Sequence, residues 1–292
     1  MQTLREIKSL LAERGIHPRH RFGQNFLHDH NMIRTLLDRA FAHQATCTAD
    51  VILEVGPGTG VLTEAIIERM RERSMGATRL LTCEIDRDMA AIVESRLQLM
   101  QDDPHVTLIR GDCLAGKHAL NSELRLAVDG KRFVLIANLP YSIASPLMMN
   151  LITTISGCAG MFITIQKEVA QRLTAQPGSK TFGPLGIMAQ VFGEVERVAV
   201  LPPSCFWPQP DVESAMVAIV PHEKPLLQGA DAYAEFSRFL AGLFSSRRKQ
   251  ITSILGRGTP LPDGVDPQQR PETLTIEQLL ELHRVISADP LG

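Results

Sequence analysis

Cysteine is scarce in this 292-residue chain: there are five, at positions 47, 83, 113, 158 and 205, and no C-x-x-C among them. Such spacing indicates neither a zinc site nor a disulfide framework, and the thiols read as reduced packing groups. Aromatics are few as well, 5% of residues with one tryptophan and two tyrosines, so a ring beside a polar motif stands out. No apolar run approaches the roughly 18–20 residues that span a bilayer. The N-terminal stretch carries Arg5, Lys8 and Glu13 where a secretory leader would be apolar, so a cytosolic protein is expected. The dinucleotide fingerprint G-x-G-x-x-G is missing, which disfavours a nicotinamide dehydrogenase. Charge is nearly balanced, 30 Lys and Arg against 32 Asp and Glu, and net charge alone recruits no nucleic acid. His28-Asp29-His30 has no third clustered ligand, so no metal is expected.

What the chain does have is an alternation of short apolar runs and helical patterns over residues 50–220, which predicts an α/β domain with a mostly parallel, doubly wound sheet. Residues 1–45 read as a basic arm followed by an amphipathic helix. Residues 226–292 hold two or three helical patterns split by the Gly/Pro stretch 256–267, and are expected to form a small helical C-terminal domain after a 1–225 main domain. Thr174 to Gly186, with Pro177, Gly178, Gly183 and Pro184, reads as a mobile loop near the active face.

Four strand tips carry the chemistry. Val51-Ile52-Leu53-Glu54-Val55 runs into Gly56-Pro57-Gly58-Thr59-Gly60 and then a helical pattern, the opening unit of a nucleotide-binding fold. Glycines at 56, 58 and 60 let a ligand approach the backbone closely. Acidic Glu54 would repel a pyrophosphate and suits a cationic or zwitterionic ligand such as S-adenosylmethionine. The second strand ends at Glu84, placed to accept ribose hydroxyls, and Asp86 is expected to cap the next helix. The third ends at Asp112, which could accept from an adenine amino group. The fourth, Phe133 to Ala137, ends in Asn138-Leu139-Pro140-Tyr141. There an amide can meet the amino edge of a planar ring while an aromatic stacks on its face.

Together these motifs resemble the ribosomal RNA adenine dimethyltransferase family of the small subunit over nearly the whole chain. Arg21 to Leu27, Gln166 to Val169, Pro202 to Ser214 and Arg247-Arg248-Lys249 match its further signatures. The resemblance implies a Rossmann-like class I methyltransferase fold with a seven-stranded sheet. It implies that Asn25, Leu27, Gly56, Glu84, Asp112 and Asn138 line the S-adenosylmethionine site, with Gly58 and Gly60 in the same turn. Tyr141 and Phe206 would flank the target base, and Trp207 reads as a plug fixing the Pro-rich loop. One departure is Ser142, where the family usually carries an amide.

The activity implied is N6,N6-dimethylation of two adjacent adenosines in a 3′-terminal hairpin of 16S rRNA, linked to ribosome assembly. The partner is then small-subunit rRNA or a precursor small-subunit particle, met by a monomer without membrane or metal. Basic stretches fit that partner: Arg5, Lys8, Arg14, Arg19 and Arg21 in the arm, and Arg238, Arg247, Arg248, Lys249 and Arg257 without any acid from 236 to 258. Of these, Arg247, Arg248 and Lys249 are the expected RNA contacts. Two alternatives stay open: a large-subunit rRNA adenine methyltransferase of resistance type, and an assembly factor that holds the cofactor without turnover.

Overall fold

The computed structural model describes residues 1–19, 22–99, 105–116, 119–256 and 258–288; Arg21 and Arg257 lie outside them. In chain order the elements are α1 (Leu4–Glu13), β1 (Phe26–Leu27), α2 (His30–Ala42), α3 (Gln44–Cys47), β2 (Val51–Val55), α4 (Val61–Glu72), β3 (Arg79–Glu84), α5 (Arg87–Leu99), β4 (Val106–Arg110) and α6 (Ser122–Val128). They continue with β5 (Phe133–Asn138), α7 (Tyr141–Thr154), β6 (Cys158–Gln166), α8 (Lys167–Leu173), α9 (Pro184–Phe192), β7 (Gly193–Leu201), β8 (Phe206–Trp207), β9 (Ser214–Pro221), α10 (Gly229–Phe244), α11 (Ile251–Leu255) and α12 (Ile276–Ala288).

Seven strands form one sheet in the order β4-β3-β2-β5-β6-β9-β7. Its first five are parallel, and β9 runs antiparallel between β6 and β7. This is the doubly wound, mostly parallel architecture expected of the sequence. Alternation along each strand sorts side chains to two cores, because successive residues point to opposite faces. Leu53, Leu135 and Ile163 join the cluster under α6–α9. Ile52, Ile136 and Phe162 join the cluster under α2 and α4. Strands buried on both faces need not alternate in polarity, so the run Phe133 to Ala137 is apolar throughout.

Two helices were not legible as helices. Pro146 falls inside α7, and a proline normally argues against a helix interior. Here it sits in the second turn of α7, and Asn150 Nδ2 donates to its carbonyl at 2.8 Å. The loop expected to run to Gly186 ends at Gly183, since Pro184 opens α9 at its first position, where the missing N–H costs nothing. The same loop is tied down: the Gly178 N–H donates to the Glu272 carbonyl at 2.6 Å.

In the C-terminal segment, Tyr233, Phe236, Leu240 and Leu243 recur along α10 at helical spacing. These side chains are buried in the same apolar cluster as α7 and the sheet.

Candidate active site

The C-terminal ends of β2, β3, β4 and β5 converge on one cavity of about 310 Å³, where open α/β sheets place their ligands. Gly56, Gly58, Glu84, Asp112 and Asn138 lie on its wall, with Asn25 and Leu27 from the arm. The sequence-derived residues of four separate strand tips are thus brought together, and the arm adds residues to the same wall.

The glycine turn explains its own composition. Gly58 has φ +58°, and a Cβ there would lie 2.8 Å from the Phe26 ring. At Gly56, φ is +73° and a Cβ would lie 3.1 Å from Cδ of Pro140. Pro140 therefore locks the fourth strand tip against the first. Gly60 does something else. It is the left-handed N-cap of α4 and turns the chain into the helix, between Thr59 and Val61 of the cavity wall.

Glu84 is 5% exposed, and its two oxygens accept from Gly58 N–H at 3.1 Å and Asp86 N–H at 2.9 Å. Burial pushes its carboxyl above the usual range. Asp86 caps α5, accepting from the Asp88 N–H at 2.9 Å. Asp112 is exposed and accepts from the Leu114 N–H at 2.9 Å. Cys83 and Cys113 also line the cavity. Burial pushes the Cys83 thiol up to about 12 and the Cys113 thiol higher still, so neither supplies a thiolate nucleophile.

Glu54 is 1% exposed on the same wall, with the Thr63 hydroxyl donating at 2.7 Å. Desolvation raises its carboxyl from 4.5 to about 8, with nearby Glu84 adding to the rise. Between about pH 5 and pH 8 the folded protein keeps a proton that the unfolded chain has lost, so stability falls as pH rises through that window. Urea titrations at a series of pH values should show this loss, and Glu54→Gln should flatten it. A variant curve parallel to wild type would contradict the assignment. A cation bound beside Glu54 favours the ionised form instead.

At the fourth tip, Asn138 donates from Nδ2 to the Asn25 carbonyl at 3.0 Å. A carbonyl can only accept, so this bond fixes which end of the amide is which. The Asn138 Oδ1 is left as the free acceptor. Leu139 donates its N–H to Thr164 at 3.0 Å and buries its side chain. Tyr141, half-buried, opens α7, and its hydroxyl shares a 2.7 Å hydrogen bond with Ser214. Burial raises the phenol, so it stays neutral. Ser142, at the departure from the family pattern, is exposed and lines the cavity.

One expectation needs correction. Phe206 offers no open ring face: it is 1% exposed and packs in the core cluster of Phe26 and Leu27. The cause is a two-residue antiparallel ribbon that pairs Leu27 with Phe206 and Phe26 with Trp207, drawing the ring inward. Arg247, one of the expected RNA contacts, is exposed and already paired. Its Nε lies 2.9 Å from the Glu272 carboxylate, and its Nη1 donates to the Lys180 carbonyl at 3.2 Å. Arg248 and Lys249 beside it are exposed.

Sequence reasoning passed over Gln24, Phe26, Ile85 and Ile143, all on the cavity wall. Ile85 could have been found, since an isoleucine directly after an acid at a strand tip has no core to enter; it is 45% exposed. Asp29 of the His-Asp-His stretch caps α2, accepting from Asn31 and Met32 N–H, and among the described residues no cluster of metal-ligating side chains occurs. Also among them, no helix is long and apolar enough to cross a membrane.

Residues 16–287 match the family model described as ribosomal RNA adenine dimethylase. The chain belongs to the ribosomal RNA adenine dimethylase family. It is 36% identical to ribosomal RNA small subunit methyltransferase A of Photorhabdus laumondii, over 96% of this chain and 97% of that one. The Pectobacterium atrosepticum protein of the same name is 35% identical over the same shares. Among solved structures, a dimethyladenosine transferase from Plasmodium falciparum superposes with a TM-score of 0.67 at 23% identity, covering 88% of this chain and 95% of that one. The 23S rRNA methyltransferase ErmE gives 0.64 at 22% identity, covering 90% and 100%. These two likenesses establish the class I methyltransferase fold, and the family makes this chain a methyltransferase.

Proposed function

We propose that this methyltransferase uses S-adenosylmethionine to dimethylate N6 of two adjacent adenosines in a 3′-terminal hairpin of small-subunit rRNA, as a step of ribosome assembly in the cytoplasm. The observation that carries the reading is the Asn138 amide on the cavity wall, tied at Nδ2 to the Asn25 carbonyl so that its oxygen is the end left to accept. An acceptor at that point selects a nucleophile that brings N–H groups, as an exocyclic amine does and a ring nitrogen or carbonyl does not.

The wall residues fit the cofactor. Glu84 can accept ribose hydroxyls and Asp112 an adenine amino group. Ile85 offers an exposed apolar surface for the base, and the buried Thr59 hydroxyl on this wall has no protein partner. Bound there, S-adenosylmethionine supplies an electrophilic methyl on sulfur.

The N6 lone pair of adenine is delocalised into the ring and is a poor nucleophile. The Asn138 oxygen and the Leu139 carbonyl accept the two N6 hydrogens, drawing the nitrogen toward tetrahedral geometry and aiming its lone pair. Alignment of this kind is worth on the order of 7–11 kcal/mol. Tyr141 stacks on the extruded base, returning roughly 1–3 kcal/mol against the few kcal/mol that unstacking costs. No side chain in 138–141 is a base, and the methylated aminium is acidic enough to give its proton to water. We assign residues 1–225 to the methyltransferase unit and the helices of 226–292 to RNA binding.

Small-subunit particles from cells lacking the gene, incubated with the purified protein and labelled cofactor, should yield N6,N6-dimethyladenosine on nucleoside mass spectrometry. Label confined to large-subunit RNA, or none, would reject the reading. Replacing Arg248 and Lys249 with Gln should weaken RNA binding and reduce the slope of log affinity against log salt by about 1.4–1.8, measured by filter binding. An unchanged slope would place the RNA elsewhere.

A further inference from the structure

Orientation of Asn138 depends on where the Asn25 carbonyl sits, and a chain of contacts fixes that carbonyl from a distance. Gln24, the preceding residue, accepts from the Arg19 N–H at 2.7 Å and donates from Nε2 to Asp86 Oδ2 at 2.8 Å. The Arg19 guanidinium holds both Asp86 oxygens at 3.0 Å through Nη1 and reaches Asp88 at 2.6 Å through Nη2. Asp86 has a fully buried side chain, whereas Arg19 is 39% exposed. On the other side of Asn25, the Phe26 ring lies against Gly58 and stacks on Trp207 with centroids 6.4 Å apart.

A planar guanidinium can span two carboxylates at once, which an ammonium cannot do. Without it, Asp86 would be a buried anion close to Glu84, whose carboxyl it already pushes up. The cheapest relief would be for the Gln24–Asp86 contact to loosen, carrying Asn25 with it.

We propose that Arg19 and Gln24 are positioning residues for Asn138, holding the Asn25 carbonyl where it fixes the amide with its oxygen toward the substrate amine. The inference rests on the catalytic reading of Asn138. It joins the helix cap at Asp86 and the amide of the fourth strand tip into one mechanical unit.

Trp207 is the sole tryptophan, and its partner Phe26 follows Asn25 directly, so acrylamide quenching of its fluorescence reports displacement of this segment without any substrate. In Arg19→Gln and Gln24→Ala the quenching constant should rise at least twofold. The single-turnover rate at saturating cofactor and RNA should fall about tenfold, with the KM for RNA unchanged. Because these residues act through Asn138, adding Arg19→Gln to Asn138→Ala should cost less than a further twofold. Unaltered quenching together with an unaltered rate would overturn the proposal, and so would a full tenfold additional loss in the double variant. If Gln24→Ala does not fold, Arg19→Gln, at a half-exposed side chain, still decides. A wild-type protein that neither binds S-adenosylmethionine nor methylates RNA would instead sink the proposed function, while the quenching comparison still judges whether Arg19 holds the segment.

Discussion

Alanine at position 138 should lower the single-turnover methylation rate by about 10²–10³-fold, the scale on which loss of one preorganised polar contact to a reacting group is felt. Cofactor affinity, read by calorimetry, should change by less than about fivefold, since Asn138 is only one of many residues on the cavity wall. The asymmetry follows from geometry. The amide nitrogen is committed to Asn25, so the oxygen is the part that meets the substrate, and its contact strengthens as the amine becomes tetrahedral. Asn138→Asp is no rescue, because a carboxylate cannot donate to the Asn25 carbonyl and would face it with like charge. An alanine variant within threefold of wild type would remove Asn138 from the chemistry.

Glu84→Ala should have the largest effect on binding: a cofactor Kd raised about 100-fold, as loss of charged hydrogen bonds worth about 1.5–3 kcal/mol would give. The carboxylate serves twice. It would accept the ribose hydroxyls, and it already receives the Gly58 and Asp86 N–H groups that shape the turn on either side. Removing it orphans two backbone donors in a buried position. At saturating cofactor the rate should recover to within a few-fold of wild type. Glu84→Gln, which keeps one acceptor oxygen, should fall between the two. A Kd within threefold of wild type for the alanine variant would show that Glu84 supports the turn alone.

Much of this site could be read from the chain because a parallel sheet converts sequence order into spatial order. Glu54, Glu84, Asp112 and Asn138 each follow an apolar run, and each run is a strand ending on the same edge. What escaped were features set by long-range pairing. Phe206 read as an exposed ring because its prolines promised a stiff loop, but pairing with Leu27 turned it inward. The ion pair of Arg247 was hidden because no acid lies near it in sequence, and Glu272 reaches it from a later turn. The Arg19–Gln24–Asp86 contacts span more than sixty residues of sequence, and no periodicity announces them.

The Arg247–Glu272 pair constrains how this enzyme could be recombined with its relatives. Glu272 holds Arg247 through its carboxylate and Gly178 through its carbonyl, while Arg247 also grips the Lys180 carbonyl. A chimera that imports only the final helices would leave the loop around Gly178 and Lys180 without its anchors. Segments 174–183 and 245–273 therefore form one inheritable module, to be exchanged together or not at all.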